Sequence, residues 1–227
     1  MASRAYPVEK SKGTKFPLTV NKRILLFVLA YAIQLIYIPT SNRVSGGFEP
    51  RLSIDIVPIW AVWVLPYLLC YVLWLSCVIW IIVKAEDSAF RSFIAACICT
   101  FTFSVVIFIL VPTYVRATPL LGNDLFTMLL RMIHEHWGRY DALPSGHIYI
   151  TTLLALFFSR WYPRQKLAWI LILVIVSLST LFTGQHYILD VLGGYAVALS
   201  GYHFGLWWTG FLPTQKRHRK RISSSLN

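Results

Sequence analysis

Two short stretches of this chain carry residues that could act together on a phosphate. In "GQHYILD", residues 184–190, His186 and Asp190 stand four apart, the spacing that puts two side chains on one face of a helix. An aspartate inside an apolar segment is costly without a partner, and His186 is the nearest candidate. A carboxylate that accepts from one imidazole nitrogen fixes the tautomer and leaves the other nitrogen free as a base or nucleophile. Read alone, the pair could equally serve only to pin helices together. In "LPSGH", residues 143–147, Pro144 and Ser145 suit a helix start, where several backbone N–H groups lack intrahelical partners. Gly146 lets a ligand approach the backbone, and such a terminus attracts anions, phosphate above all. His147 at its edge could give a proton to a leaving oxygen. Read alone, an ordinary serine cap followed by an interfacial histidine also accounts for this stretch. Taken together, a histidine oriented by a carboxylate, a second histidine as acid and an anion-holding terminus fit phosphoryl transfer through a phosphohistidine.

The elements that must position these residues are membrane helices. Of 227 residues, 57% are hydrophobic and 13% charged, too apolar for an ordinary soluble domain. Several apolar runs approach the roughly 20 residues that cross a bilayer. The expected fold is all-α, a polytopic bundle of six transmembrane helices over 24–40, 57–83, 91–112, 147–161, 166–183 and 186–211. Residues 1–23 and 213–227 read as basic cytoplasmic tails around a membrane domain of 24–212.

With an even number of spans both termini share one side, and sixteen Lys and Arg fall there against five opposite (Arg43, Arg51, Arg116, Arg131 and Arg139). That asymmetry puts the termini in the cytoplasm and opens His147 and His186 on the exterior, periplasmic or lumenal face. The net charge of +12 therefore reads as a set of topology signals at the ends of apolar runs, and no nucleic acid is expected as a partner. Cys70, Cys77, Cys97 and Cys99 lie inside apolar segments, without the spacing of a zinc site or a secreted disulfide framework. Within the outer connection, Leu125, Met128, Leu129, Met132 and Ile133 recur at helical spacing, which predicts a short amphipathic helix resting on the outer leaflet between spans 3 and 4. Asn123 or Asp124 would cap it. His134 and His136 are two apart on that helix and face different ways, a poor arrangement for a metal.

"LPSGH" followed by "LSTLFTGQHYILDVLGG" resembles the type 2 phosphatidic acid phosphatase superfamily, which also contains vanadium haloperoxidases and sphingolipid head-group transferases. Pro144 to His147 match the second motif of that superfamily in full. Its third motif is matched in register by Ser179, His186 and Asp190, with Thr180 in place of an arginine. The first motif is nearly gone: Arg116 is its remnant, followed by Ala117 instead of proline, and the lysine position falls on Ile109.

The resemblance implies His186 as nucleophile, Asp190 as its orienting partner and His147 as acid–base group, with Ser145 and the Gly146 backbone holding phosphate oxygens and with neither metal nor other cofactor. Arg116 and Arg139 are the candidates to replace the lost cations at the phosphate. The implied activity is a lipid phosphatase acting on a phospholipid or polyprenyl phosphate. A missing third-motif arginine is similar to the branch of inositol phosphorylceramide and sphingomyelin synthases, so a head-group phosphotransferase using the same residues is the alternative. A non-catalytic transporter or scaffold on the same fold is a further one, in which Asp190 and the outer histidines would bind protons or substrate.

Overall fold

The computed structural model describes residues 17–39, 46–116, 118–136 and 140–210. Most of the first predicted tail, all of the second, and Arg139 lie outside the described residues. Within them the chain is helical, without strands: α1 (Val20–Gln34), α2 (Val64–Lys84), α3 (Asp87–Leu110), α4 (Leu125–His136), α5 (Gly146–Trp161), α6 (Lys166–Phe182) and α7 (Ile188–Trp208). Four helical stretches are long and apolar enough to cross a membrane: Val20–Pro39, Ala61–Lys84, Asp87–Leu110 and Pro163–Phe182. Their outward residues, such as Leu29, Leu75, Ile109 and Leu171, are more than half exposed, a surface suited to hydrocarbon and unsuited to water.

α5 is different in kind. It has only 16 residues, and ten of them are buried, because α2, α3, α6 and α7 surround it. A helix so enclosed faces protein along most of its length and needs no broad lipid-facing stripe. α7 packs most extensively on α3 and then on α5, and small residues allow that approach. A Cβ on Gly205 would lie 2.3 Å from the Ser92 carbonyl oxygen, and one on Gly194 would lie 2.7 Å from the Ile148 Cβ.

Three features depart from the sequence reading. α1 begins at Val20, inside the predicted tail, because Thr19 caps it and Arg23 turns inward to pair with Asp87 at 2.6 Å. α7 begins at Ile188 with Tyr187 as N-cap, so His186 stands in the preceding turn and is not on the helix. The short helix α4 is capped by Asp124, whose Oδ1 accepts from the N–H of Phe126 and Thr127, but its apolar residues divide between two faces. Leu130 and Ile133 pack on Val64 and Tyr67 of α2, with Leu129 joining them, while Leu125, Met128 and Met132 stay exposed. The apolar residues of α4 thus do not form one face: one side is docked on the bundle and another is left outward.

At the end of the bundle where α5 and α7 begin, loops replace sheets as the ties. Single bridges join Phe48 to Thr113 and Tyr114 to Tyr140. The buried Asp55 accepts from the Ile188 N–H at 2.9 Å and the Leu52 N–H at 2.7 Å, anchoring the start of α7 to the loop before α2.

Candidate active site

The two stretches that suggested chemistry meet at their backbones. The Ser145 N–H donates to the Asp190 carbonyl at 3.0 Å, so the start of α5 is fastened to the first turn of α7. The His147 and His186 rings approach to 6.2 Å between centroids in a T-shaped arrangement.

His186 is presented by a tight turn. Gly184 adopts φ +67, a left-handed conformation that glycine takes without the steric cost a Cβ brings. The Thr180 carbonyl accepts from both the Gln185 and His186 N–H at 3.2 Å. Thr180 holds the arginine position of the third motif, yet its hydroxyl turns back to the Ser177 carbonyl and is wholly buried. It shapes the turn and supplies no charge.

Asp190 has two duties. As the third residue of α7 it reaches back to the Tyr187 N–H with Oδ2 at 2.8 Å, a capping-box contact. The same oxygen lies 3.4 Å from His186 Nδ1, within ion-pair range but without hydrogen-bond alignment. The pairing read from the sequence therefore exists for a different reason: the carboxylate curls over the helix start toward a histidine outside the helix.

Ser145 occupies the N-cap of α5 but makes no side-chain capping bond. Its Oγ is buried without a partner within the protein, as are His147 Nε2, His186 Nδ1 and Asp190 Oδ1. Buried polar atoms are nearly always hydrogen-bonded, so several orphans in one small region point to a polar ligand. The simpler serine-cap reading fails on this count, since a structural cap would use its hydroxyl. Gly146 follows at the first helical position, where an added Cβ would meet only the Tyr149 ring, at 3.5 Å from its hydroxyl.

Among the described residues, Arg116 and Arg131 are engaged elsewhere. The Arg116 guanidinium is 67% exposed and pairs with Glu49 at 2.9 Å, while its backbone N–H reaches the Tyr187 hydroxyl at 3.3 Å. The Tyr187 hydroxyl donates to the other Glu49 oxygen at 2.7 Å. This hydrogen bond, then the Arg116 charge, holds the Glu49 carboxyl below its usual range. Arg116 thus sits at the rim, one residue along the backbone from His186 through its Tyr187 contact. Arg131 is spent on the carbonyls of Leu120 and Gly122.

Sequence reasoning missed the surroundings of His147. Its ring is enclosed by Tyr67, Tyr71 and Trp74 of α2 at 4.1, 5.3 and 5.4 Å between centroids. The signal was available: the three recur at i, i+4 and i+7 along one face of a span. His134 was weighed only as a metal ligand, whereas its Nε2 bonds the Thr183 carbonyl at 2.8 Å and ties α4 to the turn that carries His186.

A membrane helix bundle that joins a Ser-Gly-His helix start to a His-Asp turn defines a class, and comparison with known families agrees. Residues 56–204 match the PAP2 superfamily model, well over half of the chain, and this protein belongs to that superfamily of type 2 phosphatidic acid phosphatases. No curated protein matches the chain, so the family match alone carries the membership.

Proposed function

We propose that this protein is an integral membrane lipid phosphatase that cleaves a phosphomonoester or diphosphate headgroup through a phosphohistidine, without a metal. The observation that carries this reading is the convergence of unpartnered Ser145 Oγ and His147 Nε2 with the His186–Asp190 pair. His186 Nε2 attacks phosphorus while the leaving oxygen takes a proton from His147. Asp190 steadies the imidazole through Nδ1, and Ser145 with the free N–H groups at the start of α5 holds the phosphate oxygens. Water, deprotonated by His147, then attacks the phosphohistidine and releases phosphate with His186 restored. In this reading α1, α2, α3, α5, α6 and α7 all cross the membrane, the excess of Lys and Arg keeps the termini cytoplasmic, and the site faces the exterior or a lumen.

The test is phosphate release by the purified protein in detergent, from a panel of lipid phosphates, with EDTA present. Release that survives EDTA and falls by about 10⁴-fold or more in His186→Ala is expected. Equal release by the variant rules the mechanism out.

One feature of the site favours a head-group phosphotransferase instead. Thr180 removes a cation from the phosphate cradle, and Arg116 is engaged by Glu49. A site with few cations among the described residues suits a donor that arrives as a phosphodiester better than a dianionic monoester. Turnover that requires an added lipid alcohol would choose this reading over hydrolysis.

A further inference from the structure

The aromatic face that encloses His147 does not end there. Tyr71 and Trp74 are also walls of a cavity of about 290 Å³ that lies among α1, α2, α3 and α5. Beyond them α2 adds Leu75 and Val78, α3 adds Cys97 and Phe101, and α5 adds Leu153 and Leu154. The space exists because α2 and α3, consecutive in the chain, separate after the turn at 85–86 and are not closely packed along their length, while α1 meets α2 only sparsely. Its inner wall is fixed: Cys97, Phe101, Leu153 and Leu154 are each 3% exposed or less, and the Trp74 indole N–H is bonded to Thr151 Oγ1 at 3.0 Å. Its outer wall is open, since Tyr31, Tyr71 and Leu75 are 41%, 39% and 63% exposed on the flank between α1 and α2.

We infer that this cavity holds one aliphatic chain of the substrate, admitted sideways from the bilayer between α1 and α2. The inference rests on the phosphatase reading and extends it to the substrate's apolar part. Three observations choose the occupant. The lining is hydrocarbon and aromatic, so a polar headgroup is excluded from it. The mouth opens through residues of membrane helices, where the surrounding medium is lipid tails. Tyr71 and Trp74 line the cavity and also pack on the His147 ring, so a tail seated here lies against the residues that enclose that histidine. Along α2 the cavity runs from Tyr71 to Val78, about 10 Å at 1.5 Å per residue. An extended chain advances roughly 1.2 Å per single bond, so the cavity accepts roughly eight to ten carbons before the tail leaves it.

The experiment uses single-chain alkyl phosphates from butyl to hexadecyl, assayed on the full-length protein in detergent, with Val78→Trp to fill the half-buried lower end. For the native protein kcat/KM should climb with length and level off near octyl to decyl. In Val78→Trp the plateau should come at shorter chains, and dodecyl phosphate should lose about tenfold, the burial of roughly two methylenes, while butyl phosphate is unchanged. Should that variant fail to fold, Leu75→Trp narrows the exposed mouth and is expected to slow long-chain substrates alone. An unchanged length profile in a folded variant overturns the inference and leaves the phosphatase reading standing. Photolabelling with dodecyl phosphate carrying a terminal diazirine separates the opposite failure. An adduct on residues 71–78 or 150–154 that free dodecyl phosphate competes away, and that Val78→Trp abolishes, upholds the cavity as a tail site even if no phosphate is ever released. Absence of that adduct overturns it.

Discussion

Two buried pairs, Arg23–Asp87 and His186–Asp190, lie toward opposite ends of the bundle, and they are built on opposite principles. At the far end, Arg23 donates to the Ile82 and Ala85 carbonyls and to Asp87, and Asp87 accepts a further bond from the Leu18 N–H. The guanidinium also lies 5.2 Å over the Phe90 ring. Of the guanidinium nitrogens only Nε lacks a partner. At the near end, His186 and Asp190 meet at 3.4 Å without alignment, and the groups around them leave oxygens and nitrogens unpaired. The far pair is nearly saturated by its neighbours, as a buried charge kept for stability would be. The near pair leaves capacity open, as a site for a ligand would, and its folding is secured by other bonds nearby. Here those bonds are the Ser145 N–H to Asp190 carbonyl link and the Asp55 carboxylate on Ile188.

Substitutions at the two ends should separate stability from turnover. The largest effect on stability is expected from Arg23→Ala, which strands the Asp87 carboxylate and releases two carbonyls. With Asp87 20% exposed, the loss falls at the lower end for a broken buried pair, about 3 kcal/mol, read as a lower Tm in detergent. Turnover per folded molecule should hold. A variant as stable as the native protein would show that the far pair is no anchor.

Asp190→Asn is the counterpart. Asparagine keeps an oxygen for the Tyr187 N–H, so the cap on α7 survives and stability should fall by less than about 1 kcal/mol. The charge facing His186 Nδ1 is lost, and kcat should fall about a hundredfold. The contrast breaks if Asp190→Asn lowers Tm as much as Arg23→Ala, because Asp190 would then be a structural charge as well.

How much of this the sequence carried depends on the range of each contact. His147, His186, Asp190 and Ser145 were legible because chemistry restricts their types and the motifs are local. The pairing of His186 with Asp190 was expected from helical spacing, yet it arises from a capping box, since a turn closed at Gly184 precedes the helix. Helical periodicity found α4 but not its two faces. Which side docks is decided by Val64 and Tyr67, some sixty residues away, and no pattern inside α4 reports that. Glu49 and Asp55 escaped notice for the same reason. Each is a single carboxylate in a loop, given meaning only by Tyr187, Arg116 and Ile188 far along the chain.

Glu49 also supplies the finest test of the comparison, because it decides whether Arg116 belongs to the saturated kind of charge or to the open kind. With its carboxyl held low by Tyr187 and then Arg116, Glu49 contributes stability that is fully present above the ordinary carboxylate range and is lost as pH falls through its lowered value. Glu49→Gln should remove that acid-side decline in Tm and cost less than about 1 kcal/mol near neutrality, since Arg116 is largely in solvent. It should also free the guanidinium. If Arg116 then turns to a bound phosphate, KM for a lipid phosphate drops by at most about fivefold, the worth of one exposed ion pair. If KM stays put while the acid-side change in Tm appears, Arg116 is a fastening of the loop to Tyr187, and the phosphate is held by other groups, the start of α5 and the histidines first among those described.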